Sequence, residues 1–197
     1  MFTGIVEEIA IIKNIVKEKE NIHLTVGCSF VNELKVDQSV LHNGICLTIV
    51  ALTEETFTVT AIKETIDVTT LGQWTVGQEI NLERGMLANA RLDGHIVQGH
   101  VDLVGRCVSI EDADGSTYYG FEYDPNATHI TISKGSITID GTSLTVVDSG
   151  IHTFSVAIIP YTKEHTIFKH YRLGDCVNLE FDVIGKYVEK LLQVRNV

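Results

Sequence analysis

Two stretches nearly a hundred residues apart repeat each other. Asn43–Val50 reads NGICLTIV and Asp140–Val147 reads DGTSLTVV. The offset of 97 that carries Asn43 onto Asp140 also carries Ser39 onto Ser136, Phe57 onto Phe154, Thr65 onto Thr162 and Thr69 onto Thr166. It then lays VGQEINLE (Val76–Glu83) over LGDCVNLE (Leu173–Glu180). Separate segments that keep one register without a gap are the mark of a tandem duplication, so the chain must fold as one small unit made twice.

Each copy reads as short strands broken by Gly or polar turns. SVLHNGICLTIV, ETFTVTAI and QEINLERG in the first copy answer to SITIDGTSLTVV, HTFSVAII and DCVNLEFD in the second, with IHLTVGC added to the first half and YYGFEYD and HITIS to the second. About six short strands per half predict a small closed barrel, whose closure removes the edges that invite aggregation. The expected fold is all-β: two tandem six-stranded antiparallel β-barrels related by internal duplication, over residues 1–94 and 95–184, plus a C-terminal α-helix over residues 185–197. The switch between barrels falls in LANARLDGHIVQG (Leu87–Gly99). In the tail, GKYVEKLLQVRNV, residues Tyr187, Val188, Leu191, Leu192 and Val194 are linked by three- and four-residue steps, one apolar helix face. So short a helix is marginal alone. It either lies on its own barrel or supports self-association, and the second reading is preferred.

Composition removes several classes of function. Fifteen basic against 26 acidic side chains give a net charge of −11, which disfavours a nucleic-acid binder. No apolar run approaches the roughly 18 residues of a membrane span, and the opening MFTGIVEEIA has no basic leader region, so a cytoplasmic protein with no membrane partner is expected. Cys28, Cys46, Cys107 and Cys176 are widely spaced, with no CxxC, so free thiols and no metal site are expected.

Residues that a barrel needs should persist in both copies, as Gly44/Gly141, Leu47/Leu144, Thr48/Thr145 and Asn81/Asn178 do; residues present in one copy only are candidates for chemistry. Cys46 faces Ser143, Lys63-Glu64 faces Pro160-Tyr161, Arg84 faces Phe181, and Gly85 faces Asp182. His100 in QGHVD answers to Ile5 in TGIVE, here at an offset of 95. Each has a plain alternative. A lone Cys is usually a core residue, Lys63-Glu64 reads as a solvated strand end, His95 and His100 as surface histidines, and Asp182 as the close of a strand.

Taken together the motifs are specific. MFTGIVEE, HNGICLTI, IKET, NLER, the GH of QGHVD, SKGSITIDGTSLTV and VNLEFDVIGKY stand in order from Met1 to about Lys190. With them the chain resembles the α-chain type of riboflavin synthase, a trimeric family of duplicated β-barrels. The resemblance implies dismutation of two molecules of 6,7-dimethyl-8-ribityllumazine by four-carbon transfer, with no cofactor. It implies one lumazine per barrel, an active site between the first barrel of one subunit and the second barrel of its neighbour, and a homotrimer supported by the C-terminal helix, with lumazine synthase as a candidate partner. The ligand positions it implies in the first barrel are Gly4, Ile5 and Val6; Cys46, Leu47 and Thr48; and Thr60, Ala61, Ile62, Lys63, Glu64 and Thr65. In the second they are Gly99, His100 and Val101; Lys134; Ser143, Leu144 and Thr145; and Ala157, Ile158, Ile159, Pro160, Tyr161 and Thr162.

The reaction needs its two identical substrates treated oppositely, one losing a methyl proton and the other accepting a nucleophile, which unlike side chains around like loops can achieve. His100 is suited to the proton transfer. Cys46 serves as nucleophile or polar wall, Ser39 and Thr48 position water or hydroxide, and Asp182 orients a partner or bonds a ribityl hydroxyl. Two positions depart from the family pattern: Gln98 stands where some members have Ser or Thr, and Pro160-Tyr161-Thr162 replaces the more frequent PET or PHT. The alternative is a non-catalytic carrier of the same fold, the lumazine protein of luminous bacteria. Such carriers tend to lose the NGxCLT cysteine, the KET triplet and the GH, all of which this sequence keeps.

Overall fold

The computed structural model describes residues 1–195. The first barrel closes from β1 (Glu8–Glu18), β2 (Asn21–Gly27), β3 (Ser39–His42), β4 (Ile45–Leu52), β5 (Thr56–Ala61) and β6 (Glu79–Arg84), in the spatial order β1-β2-β5-β4-β3-β6. The second repeats that order with β7 (Leu103–Ala113), β8 (Ser116–Glu122), β9 (Ser136–Ile139), β10 (Thr142–Ser149), β11 (Thr153–Ile158) and β12 (Cys176–Phe181). Short helices, α1 (Lys63–Val68) and α2 (Pro160–Glu164), follow β5 and β11. A final helix, α3 (Val183–Arg195), starts two residues before the expected Gly185; the last two residues of the expected helix lie outside the described residues. Among the described residues no helix is long and apolar enough to cross a membrane.

The strand count per barrel agrees with the sequence reading, but not every member does. HITIS is an irregular segment, not a strand, while β1 and β7 were not foreseen. Both strands carry a bulge at matching places, between Ile12 and Asn14 and between Cys107 and Ser109, which interrupts the alternation a sequence pattern relies on. They match at the offset of 95 seen for Ile5 and His100, so the second copy gains two residues between β8 and β9, in the loop that holds HITIS. There Thr131 exchanges hydrogen bonds with the Ser149 side chain, and the Tyr123 hydroxyl donates to the carbonyls of His129 and Ile151. Side chains replace the ladder that a strand would need.

Both barrel interiors are filled. Leu24, Val26, Ile49, Phe57, Val59 and Ile80 close the first; Phe121, Val156, Phe168, Val177 and Leu179 close the second. A ligand therefore has to sit on an outer surface. The barrels meet across a pseudo-twofold axis through two buried asparagines. Asn178 Oδ1 accepts from Thr70 N at 2.8 Å and its Nδ2 donates to Asn43 O at 2.8 Å. Asn81 mirrors this, accepting from Ile167 N at 2.8 Å and donating to Asp140 O at 2.9 Å.

The twins differ in buried titratable groups. His42 stands where the second barrel has Ile139. It is fully buried, its Nδ1 bonds Val40 O, its Nε2 has no partner among the described residues, and burial pushes its pKa down to about 4. Asp140 stands where the first barrel has Asn43; burial raises its carboxyl to about 7, against the hydrogen bonds from Tyr171 and from Asn178 N. The signs are opposite. A depressed histidine contributes stability that is present above its unfolded pKa of 6.5 and lost as pH falls towards 4. A raised carboxyl contributes stability that is present below 3.8 and lost as pH rises towards 7. At its unfavourable end the histidine costs about 3 kcal/mol and the carboxyl about 4 kcal/mol. The two slopes oppose each other in the unsubstituted chain, so substitution exposes them. His42→Ile should stabilise most near pH 4 to 5, and Asp140→Asn should stabilise most near pH 8, as read by urea unfolding across that range. Equal gains at both ends would refute the assignment.

Candidate ligand site

Ahead of each barrel runs an extended lead segment, and the two segments lie antiparallel. Phe2 N donates to Val97 O at 2.8 Å and Val97 N to Phe2 O at 3.1 Å. A buried carboxylate from the last strand of each barrel grips its own lead segment. Glu83 accepts from Thr3 N at 2.6 Å, Thr3 Oγ1 at 2.7 Å and Gly4 N at 2.9 Å. Glu180 accepts from Gln98 N at 2.7 Å, Gly99 N at 2.9 Å and His100 N at 3.1 Å. Burial raises both carboxyls, and the backbone N–H donors oppose the shift.

The far side of each segment meets the other barrel. Ser143 N donates to Gly4 O at 2.7 Å, and Cys46 N donates to Gly99 O at 2.9 Å. Gly4 and Gly99 adopt φ of +77° and +81°, and a Cβ on either would lie 2.5 Å from the Cβ of Ser143 or Cys46, so glycine is required at both places. The expected grouping is thus corrected: the Gly4 segment sits with the DGTSLT loop and the Gly99 segment with the NGICLT loop. Each loop is completed by the lead segment of the other half.

Strand alternation sorts the remaining positions. In β4, Ile45, Leu47 and Ile49 enter the core while Cys46 and Thr48 face out. In β5, Thr60 faces out and Ala61 in. In β11, Ala157 is half-buried and Ile158 fully buried. Leu47, Ala61 and Ile158 therefore offer a ligand only their main chain. Lys63 and Glu64 do not end a strand, as expected, but open α1 after the extended Ile62; Pro160 and Tyr161 open α2 in the same way. Ile62, Lys63, Glu64, Ile159, Pro160 and Tyr161 are exposed, and Thr65 and Thr162 are half-buried. Ser39 pairs with Thr48 across β3 and β4 and, with Ile5, lines a recess of about 750 Å³ beside Glu83 and Arg84. Lys134 projects from a loop residue with φ +67°, and Thr145 and His100 are exposed.

Asp182 follows the last strand, and His95 departs from its sequence reading. Asp182 caps α3, its Oδ1 accepting from Ile184 N at 2.9 Å. His95, read as a surface residue, is 8% exposed; burial lowers its pKa against the pull of the Asp182 charge. A second recess, of about 600 Å³, straddles the pseudo-axis between Trp74 and Tyr171 and holds none of the candidate ligand positions.

The lumazine binding domain family matches residues 3–85 and again 98–182. The riboflavin synthase of Bacillus subtilis is 41% identical over 197 residues, covering 100% of this chain and 92% of that protein. That of Actinobacillus pleuropneumoniae is 42% identical over 98% of this chain and 90% of its own length. Among solved structures, LumP complexed with 6,7-dimethyl-8-(1'-D-ribityl) lumazine superposes with a TM-score of 0.83 at 21% identity, over 91% of this chain and 98% of that one, a likeness of fold.

Proposed function

The chain belongs to the riboflavin synthase family of paired lumazine-binding domains, and on that premise we propose how its surface divides the reaction. The activity is that of a transferase: two molecules of 6,7-dimethyl-8-ribityllumazine exchange a four-carbon unit to give riboflavin and 5-amino-6-(D-ribitylamino)uracil. One lumazine lies against Gly4–Val6, Ser143–Thr145 and the β11–α2 junction. The other lies against Gly99–Val101, Cys46–Thr48 and the β5–α1 junction. The observation that carries this reading is the exchange of lead segments, with Gly4 O on Ser143 N and Gly99 O on Cys46 N.

In this reading the ring edges and ribityl hydroxyls meet main-chain groups and the hydroxyls of Thr48, Thr60, Ser143 and Thr145. The asymmetry lies in Cys46 against Ser143 and His100 against Ile5, so His100 handles the methyl proton at one site only. Lys134 serves as a cationic contact, and Ser39 with Thr48 positions water. Holding two heterocycles together supplies an entropic advantage of up to roughly 7–11 kcal/mol. For the two lumazines to meet, a surface of another subunit must face them. The exposed apolar side of α3, with Tyr187 71%, Leu191 64% and Leu192 56% accessible, supports assembly of a homotrimer.

Mixing the protein with the lumazine and following absorbance and fluorescence tests the function. Riboflavin should form, two lumazines should bind per chain at saturation with a non-reacting analogue, and sedimentation should give the trimer mass. A binding shift without riboflavin would make the chain a carrier, and one bound analogue per chain would remove the exchanged pair of sites.

A further inference from the structure

The two loops that share one phrase stand in unlike surroundings. Around Cys46 the neighbours are apolar: Phe2, Leu41 and Val97 form a small buried cluster against it. At the matching place in the second half, His95 Nδ1 lies 2.6 Å from Ser143 Oγ, and His95 Nε2 lies 3.2 Å from Thr138 Oγ1. Thr138 is the twin of Leu41 at the offset of 97, and Ser143 is the twin of Cys46, so a hydroxyl–imidazole–hydroxyl chain replaces a thiol among hydrocarbons. The ring is held from behind as well: His95 N donates to Thr3 O at 3.1 Å, which ties it to the lead segment that Glu83 grips.

We propose that His95 is a positioning residue of the second loop: bonded to Thr138 at one ring nitrogen and to Ser143 at the other, it fixes the Ser143 hydroxyl toward the lumazine held beside Gly4. A free serine hydroxyl rotates among three staggered positions. This one is tied to a ring that has no freedom of its own. With Nε2–H donating to Thr138, Ser143 donates to Nδ1 and turns lone pairs to the ligand. With the other tautomer, Nδ1–H donates to Ser143 and frees the serine hydrogen for a ligand acceptor. Either way the hydroxyl has a defined direction in one half of the molecule, and Cys46, with no such partner, leaves the other half soft and apolar. The proposal rests on the ligand reading above and adds to it the device that makes the two loops differ in polarity.

Steady-state kinetics with the lumazine test it. His95→Leu and Ser143→Ala should each lower kcat about 10- to 100-fold, the worth of one well-placed hydrogen bond, with KM changed far less. Because they break one chain, the double variant should be no slower than the slower single. His95→Asn, whose amide reaches the Nδ1 position, should recover part of the kcat lost in His95→Leu. Independent, multiplying losses in the double variant, or no recovery with Asn, would overturn the positioning role and leave His95 as packing. If His95→Leu does not fold, Ser143→Ala and His95→Asn still decide the question: full kcat in Ser143→Ala overturns the proposal. Absence of riboflavin from the unsubstituted chain would instead remove the functional reading itself, so the two failures are distinct.

Discussion

An Asn178→Ala chain is expected to lose about 4 kcal/mol of stability, out of the 5–15 kcal/mol that a folded protein commonly has. The side chain is 1% exposed and satisfies two main-chain groups of the other barrel, the Thr70 N–H and the Asn43 carbonyl. Alanine leaves both buried without partners, at about 1–3 kcal/mol each, and adds a small void. Asn81→Ala should behave alike, since Asn81 satisfies Ile167 N and Asp140 O. Each barrel retains its own filled core, so the double variant should unfold in two steps as the halves part company. Urea unfolding with fluorescence of Trp74, in the first barrel, and far-UV circular dichroism for the whole chain reads both effects. A loss under about 1 kcal/mol for Asn178→Ala would mean that the axis is held by something other than these amides.

His100→Ala is expected to lower kcat by about 10²- to 10⁴-fold, the range for removal of a general acid or base. The fold should be unaffected. The imidazole is exposed and makes no hydrogen bond among the described residues, whereas the main chain of His100 is held by Glu180 at 3.1 Å and keeps that bond in the variant. Unfolding midpoint and analogue binding should therefore match the unsubstituted chain while riboflavin formation collapses. Steady-state rates equal to those of the unsubstituted chain would take His100 out of the mechanism.

Much of the architecture was legible because the duplication keeps buried strand faces in register. Leu47 with Leu144 and Phe57 with Phe154 mark the same two strands in each half, and a pattern written twice is harder to misread than one written once. What was misread has local causes. The strands β1 and β7 escaped notice because a bulge breaks their alternation and because two extra residues in the second copy shift them off the main register. HITIS has strand-like composition, yet the side chains of Tyr123 and Ser149 take its carbonyls. The triplet Lys63-Glu64-Thr65 looked like a strand end because a six-residue helix is too short to show a periodicity.

The loops that differ between the halves were readable for the same reason, but which lead segment each would meet was not. In sequence, Gly4 stands nearer to the NGICLT loop than to the DGTSLT loop a barrel away, and nothing in its neighbours says that it will sit on Ser143. That follows from the pseudo-axis: two lead segments running antiparallel, each clamped by its own glutamate, can reach only the loop on the opposite side. The burial of His95 has the same origin, since Thr3 and Thr138 come to it from distant parts of the chain.

By itself the sequence determined that there would be two barrels, which strand faces would be inside them, and where the halves would differ, because hydrophobic alternation and repetition act along the chain. Only the tertiary structure decided which segment completes which loop, that the barrel interiors are full, and that a serine in one half is tied to a buried imidazole. Those outcomes depend on hydrogen bonds between residues 43 to 139 positions apart, from Thr138 with His95 to Ser143 with Gly4, whose partners are chosen by how the two halves dock.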